Sequence, residues 1–199
     1  MTLSLVLFSM LAVDGGSFVP ETPASAPAAA PVTAPRMAPL TARATVRDTG
    51  GKALGTLTLT EGPQGVLVQG TLRLPRTQKK PGAPTGHHAF HFHEVGRCDP
   101  PFASAGGHFN PDKKLHGFHT PGGAHAGDLP NLVRPASGEL AFETFASGVT
   151  LSPGPRSLLD ADGSAVVLHA QGDDYASQPA GSAGDRMACG VVHVGPARL

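Results

Sequence analysis

The chain has 199 residues, in which fifteen Lys and Arg balance fifteen Asp and Glu; it carries ten His, one Tyr and no Trp. A neutral balance offers no basic face to nucleic acid and no acidic tail. The length suits one domain with a real core plus a tail. The surplus of histidine over aromatic residues points to metal chemistry or pH sensing rather than to recognition of a large ligand.

Residues 1–19 hold an apolar run, Leu3 to Val13. It is too short to span a bilayer as a mature helix and has the length of a secretory hydrophobic stretch, although no Lys or Arg precedes it. Export is the expectation, with residues 1–19 a signal or membrane tether; a disordered or mis-assigned start is the alternative. Residues 20–40 are dominated by Pro, Ala, Ser and Thr. They offer too little large apolar surface to offset the entropy of ordering and read as a linker without fixed structure.

From residue 41 to 199, short runs of Val, Leu, Thr and Phe are punctuated by many of the 26 Gly and 20 Pro, with no sustained helical period. That pattern predicts an all-β domain. Strands are expected at Arg43–Arg47, Leu54–Thr60, Gly65–Leu74, His88–Glu94, Glu139–Phe145, Ser164–Ala170 and Ala188–Val194, with an eighth around Val149–Leu151. Tight turns join the early ones at Asp48–Gly51 and Glu61–Gly65. Seven or eight short antiparallel strands make a sandwich or a closed barrel. Two long connections interrupt them, Val95–Val133 and Gln171–Met187. Loops of that length in a compact domain are functional or disordered, and a metal can order a loop that has no core of its own.

On a strand, His91 and His93 share one face while Phe90 and Phe92 share the other. Alone, such a pair is as often a solvated face as a ligand pair. The first loop adds His108, His116, His125 and Asp128, three imidazoles and a carboxylate that would close a tetrahedral shell of the structural zinc kind. His169 ends another strand. With His91, His93 and a loop histidine it would make a four-nitrogen site without thiolate, which tolerates both copper oxidation states. His108 would serve both metals if its ring bridged them.

Five stretches carry a family resemblance: Phe90-His-Phe-His-Glu-Val-Gly-Arg-Cys98, Ala105-Gly-Gly-His-Phe-Asn-Pro111, His125-Ala-Gly-Asp-Leu-Pro-Asn131, Val167-Leu-His169 and Gly184-Asp-Arg-Met-Ala-Cys-Gly-Val-Val192. In this order they resemble the copper–zinc superoxide dismutases of the bacterial secreted type. The resemblance implies a Greek-key eight-stranded antiparallel barrel with two long functional loops. It implies copper held by His91, His93, His108 and His169, and zinc held by His108, His116, His125 and Asp128. It further implies that Arg186 holds the superoxide anion, that His108 delivers a proton, and that Asp173 orients His91 and His116. Cys98 and Cys189 would form a disulfide, and the protein would be periplasmic or extracellular, as a monomer or a homodimer. His87, His88, His119 and His193 have no counterpart role and read as surface or core residues.

Three departures stand out. Ala89 replaces a usual Gly, and Phe118-His119 replaces a usual Gly-Pro, so the zinc loop is expected to run differently. Residues 170–185 contain no lysine, which leaves long-range attraction of the anion to Arg186 and the metals, helped by Arg97, Lys113 and Lys114. Two rival readings are weaker. A non-catalytic copper buffer or delivery module on this scaffold usually lacks one or more copper histidines or the arginine, all of which this chain retains. A zinc-stabilised interaction domain leaves the joint presence of His91, His93, His169 and Arg186 unexplained.

Overall fold

Alternation of small apolar and polar residues builds the first strands. In β1 (Thr41–Asp48), Ala42, Ala44 and Val46 are buried, and in β2 (Ala53–Gly62), Leu54, Leu57 and Leu59 are. The computed structural model describes residues 38–74 and 86–195, so the expected segment 1–19 and the linker up to residue 37 lie outside the described residues. The further strands are β3 (Gly65–Arg73), β4 (His87–His88), β5 (Phe90–His93), β6 (Leu132–Val133), β7 (Glu139–Ala146), β8 (Ala165–His169), β9 (Arg186–Val191) and β10 (His193–Val194). Among the described residues the only helical element is a short 3-10 turn at Ala103–Ala105, and no helix is long and apolar enough to cross a membrane.

Eight strands form one antiparallel sheet in the order β5-β8-β9-β1-β2-β3-β7, with β10 added to β1. The end strands β5 and β7 face each other across the core, where the Phe90 and Phe142 rings meet edge to face at 5.4 Å, a favoured aromatic geometry. The sheet is therefore curled around one hydrophobic core that takes in Leu57, Leu59, Leu72, Phe90, Phe92 and Leu168. This all-β architecture is the one expected from the sequence.

Three local expectations need correction. The predicted strand His88–Glu94 is broken at Ala89, where the backbone turns to donate to the Gln171 carbonyl and accept from the His169 N–H. Its first part pairs instead with β6 in a separate two-stranded ribbon. The predicted eighth strand at Val149–Leu151 is a single bridge, Thr150 to Ser157, whose neighbours Val149 and Leu151 are buried in the core. The eighth strand of the sheet is β10, separated from β9 at Val192, whose N–H bonds the Ser164 carbonyl.

Candidate metal centre

Strand β5 is buried on both faces. Phe90 and Phe92 enter the hydrophobic core, so the alternation of the strand turns His91 and His93 to the other side. The edge of β5 that does not pair with β8 is covered by the long loop. Phe92 N–H donates to the Gly127 carbonyl, Phe109 N–H to the Phe92 carbonyl, and Glu94 N–H to the Gly107 carbonyl. These bonds set His108 opposite His93 and Asp128 opposite His91. Phe109 and Leu129, each next to one of these residues, are buried in the core and anchor the loop. Backbone pairing, with two apolar anchors, thus brings remote side chains together.

Two groups result. The ligand atoms of His91, His93, His108 and His169 lie within 4.8 Å of one another, as do those of His108, His116, His125 and Asp128. His108 belongs to both. In the first group His91 Nδ1 and the Nε2 atoms of His93, His108 and His169 are buried without a hydrogen-bond partner. A buried unpaired polar atom costs about 1–3 kcal/mol, so four facing one point fit a cation that would bind them. The opposite ring nitrogens are all held. His91 Nε2 is 2.8 Å from Asp173 Oδ2, His93 Nδ1 3.0 Å from the Gly106 carbonyl, His108 Nδ1 2.8 Å from Asp128 Oδ1 and His169 Nδ1 3.3 Å from the Gly184 carbonyl. Such anchoring fixes which nitrogen of a ring faces a metal.

In the second group the donor atoms crowd one another. His125 Nδ1 lies 3.3 Å from both His108 Nδ1 and Asp128 Oδ1, and His116 Nδ1 lies 3.0 Å from Asp128 Oδ2. Two ligands on a tetrahedral ion with bonds of about 2.0–2.1 Å stand roughly 3.3 Å apart. His116 Nε2, on the far side of its ring, is 3.0 Å from Asp173 Oδ1. One buried carboxylate therefore touches a ring from each group.

Charge follows the geometry. Burial, with the adjoining His108 and Arg186, pushes His93 down to about 2. Burial with His91 takes His169 down to about 3, and burial outweighs Asp128 to bring His108 to about 4. These rings are neutral near pH 7, the state a metal requires. At His116 burial is overcome by hydrogen bonds to Asp128 and Asp173, which raise it to about 9. Burial opposes ionisation of Asp128 and Asp173, yet hydrogen bonds from the histidines hold both well below the usual carboxylate range.

Over the first group opens a cleft of about 760 Å³, lined among others by Glu94, His108, Lys113, His125, His169 and Arg186. Arg186 opens β9 rather than lying in the expected connection Gln171–Met187. Its guanidinium donates to the Phe102 and Gly106 carbonyls, each at 2.7 Å. The Gly106 carbonyl also receives His93 Nδ1, so one peptide oxygen ties Arg186 to the histidine group. Cys98 and Cys189 are joined in a disulfide that fastens this loop to β9. Of the three cations expected to assist, only Lys113 lines the cleft; Arg97 is paired with Asp99 at 2.9 Å, and Lys114 lines a different cavity.

Of the remaining histidines, His87 and His193 are exposed, and buried His88 bonds the His169 carbonyl. His119 is outside both groups; its ring packs on Tyr175 at 5.6 Å. Contacts that the sequence does not announce also act here: Gln178 exchanges two hydrogen bonds with the His116 main chain, Asn131 two with that of Asp173, Tyr175 accepts from Asn131 N–H, and the Gly106 carbonyl holds His93 and Arg186. Asn131 stood inside a matched stretch and could have been asked for a partner, but a peptide carbonyl has no sequence signal.

An all-β domain with two metal-ligand groups sharing one imidazole, beside a cleft lined by Lys113 and Arg186, is built as a two-metal protein. The chain matches the family described as copper/zinc superoxide dismutase (SODC) over residues 53–192. It is 45% identical over 144 residues to superoxide dismutase [Cu-Zn] 1 of Aquifex aeolicus (strain VF5), covering 71% of this chain and 81% of the relative. Among solved structures it resembles a SOD-like protein from Bacillus subtilis (TM-score 0.68, 37% identity, 75% of this chain and 96% of that one). It also resembles the Cu/Zn superoxide dismutase from Brucella abortus (TM-score 0.61, 28% identity, 77% and 99%). The chain belongs to the copper/zinc superoxide dismutase family. Its cofactors are copper and zinc, and its reaction converts superoxide to oxygen and hydrogen peroxide.

Proposed function

We propose that the two groups divide the metals between them. Copper is held by His91 Nδ1 and the Nε2 atoms of His93, His108 and His169; zinc is held by His108 Nδ1, His116 Nδ1, His125 Nδ1 and Asp128. The observation that carries this is the set of buried unpaired nitrogens facing one point, each on a ring whose other nitrogen is held. Four nitrogens without sulfur suit copper in both oxidation states, and a closed set including a carboxylate suits structural zinc.

Bound copper supplies alternate one-electron acceptance and donation to two superoxide ions. Arg186 binds the anion. Two of its five N–H donors are committed to Phe102 and Gly106, which fixes the plane of the guanidinium, and the others remain for a diatomic ligand. When its Nε2 is not holding copper, His108 would carry a proton there and pass it to the nascent peroxide, with water supplying the second proton. Asp173 keeps His91 and His116 in the tautomer that leaves Nδ1 for the metal. Stopped-flow decay of superoxide tests this reading: fast decay by the copper-loaded protein and none by the copper-free form is the expected result. Equal decay by both forms would sink it.

The same reading places the protein outside the cytoplasm, in the periplasm or extracellular space. The Cys98–Cys189 disulfide suits an oxidising compartment, and the apolar run Leu3 to Val13 suits export or a tether. The domain acts as a monomer or homodimer. N-terminal mass and sedimentation of the exported protein test these points.

A further inference from the structure

Asp173 belongs to neither ligand group but touches a ring of each, yet it lies on a loop with little apolar anchorage, and Asp174, Ala176, Ser177, Gln178 and Pro179 around it are exposed. Something else must hold it. The Asn131 side chain does so from the other loop, accepting from Asp173 N–H and donating to the Asp173 carbonyl, each at 2.8 Å. Asn131 is itself fixed through its own N–H, which donates to the Tyr175 hydroxyl at 2.8 Å. The ring of bonds closes where Tyr175 N–H donates to Asp173 Oδ1 at 2.6 Å.

Tyr175 holds a left-handed backbone, φ 62, uncommon for a bulky residue and a sign that its surroundings enforce it. Those surroundings are the three residues after His116. His119 N–H donates to the Tyr175 carbonyl at 3.0 Å, and the Phe118 and His119 rings pack on the phenol at 5.4 and 5.6 Å. Gly117, at φ 97, passes so close that a Cβ there would stand 2.1 Å from the Tyr175 carbonyl oxygen. Phe118-His119 is one of the places where this sequence leaves the family pattern, and here it builds the seat for the tyrosine.

We propose that Tyr175 is a positioning residue for both metal groups, holding Asp173 on His91 and His116 through Asn131 and through its own main chain. The proposal rests on the reading of His91 as a copper ligand and His116 as a zinc ligand.

The test compares the full chain with Tyr175→Phe, Tyr175→Leu and Asp173→Asn. Copper and zinc affinities are measured by chelator competition, and solvent exchange of the histidine ring N–H protons by NMR of the zinc-loaded, copper-free protein. Asp173→Asn should weaken both metals about 10–100-fold, as loss of an orienting partner does. Tyr175→Phe removes one hydroxyl and should weaken both roughly 2–10-fold, the effect of one neutral hydrogen bond; Tyr175→Leu should cost more. Exchange should quicken at His91 and His116 in these variants but not at His93, which Gly106 holds, nor at His169, which Gly184 holds. Wild-type affinities and exchange in both tyrosine variants would overturn the proposal. Exchange quickened equally at all four rings would also overturn it, since that marks general loosening. If the unaltered protein took up neither metal, the ligand reading would fail instead, while ring exchange in the metal-free chain would still decide whether Tyr175 holds Asp173.

Discussion

His108 stands with its ring centroid 4.0 Å from that of His91, the closest of the histidine pairs, while its Nδ1 lies 2.8 Å from Asp128 on its other side. One imidazole thus faces two groups through its two nitrogens. His108→Ala should therefore weaken both metals, whereas His93→Ala should weaken copper alone, each by more than the roughly 10–100-fold typical of losing an orienting partner. Metal content after dialysis against a chelator checks the contrast.

Arg186 is anchored by the Phe102 and Gly106 peptide carbonyls rather than by a ligand of the zinc group. Arg186→Ala should lower superoxide turnover roughly 10–100-fold, the effect of charge-assisted hydrogen bonds to the anion, with both metals retained. Copper lost in proportion to activity would refute the anion-holding role. Arg186→Lys should fall between the two, because an ammonium cannot keep both carbonyls and still present a planar pair of donors.

Attraction at long range should be weak in this chain. Lys113 and Arg186 line the cleft with Glu94 beside them, and residues 170–185 add Asp173, Asp174 and Asp185 but no lysine. The second-order rate at physiological salt should stay below ~10⁹ M⁻¹s⁻¹, and Lys113→Ala should lower it further at low salt only. Stopped-flow rates across a salt series measure both.

Without metals, stability should peak at about pH 7, where the opposing effects of three lowered rings and one raised ring balance. Below it, an unfolded chain takes up protons that folded His93, His169 and His108, pushed down to about 2, 3 and 4, refuse. Stability therefore falls as pH drops from the ordinary histidine value of about 6.5 towards those values. Below about 4, loss of the depressed carboxylates Asp128 and Asp173 adds to the fall. His116 acts with the opposite sign. Raised to about 9, it contributes stability that is full below about 6.5 and is lost as pH climbs through 9. Denaturant midpoints of the chelator-treated protein across pH should trace this peak.

The Cys98–Cys189 bridge spans 91 residues. The chain-entropy model gives a contribution of about 4–5 kcal/mol for closing such a loop. Changing both cysteines to Ser should cost up to that amount in denaturant unfolding. It should also slow turnover, because the bridge holds the stretch bearing the Phe102 and Gly106 carbonyls against the strand bearing Arg186.

Much of this was legible along the chain because periodicity and ligand type are local properties. The alternation around Phe90–His93 told which side chains share a face, and the run of His108, His116, His125 and Asp128 told which donors a metal could find. Strand ends were less legible. The break at Ala89 and the switch at Val192 depend on hydrogen bonds to Gln171, His169 and Ser164, which are remote in sequence. The resemblance supplied pairings that residue spacing alone left open, the disulfide among them.

What sequence determined by itself is the chemistry on offer: imidazoles, two carboxylates, one guanidinium, and an all-β frame able to carry them. Tertiary structure alone decided which nitrogen of each ring faces which group, since that depends on whether the other nitrogen meets Asp173, Asp128 or a peptide carbonyl. It alone seated His119 on Tyr175, outside both ligand groups. The physical reason is that a ligand's type is written in one residue, but its orientation is set by hydrogen bonds to backbone and side chains that folding brings from elsewhere.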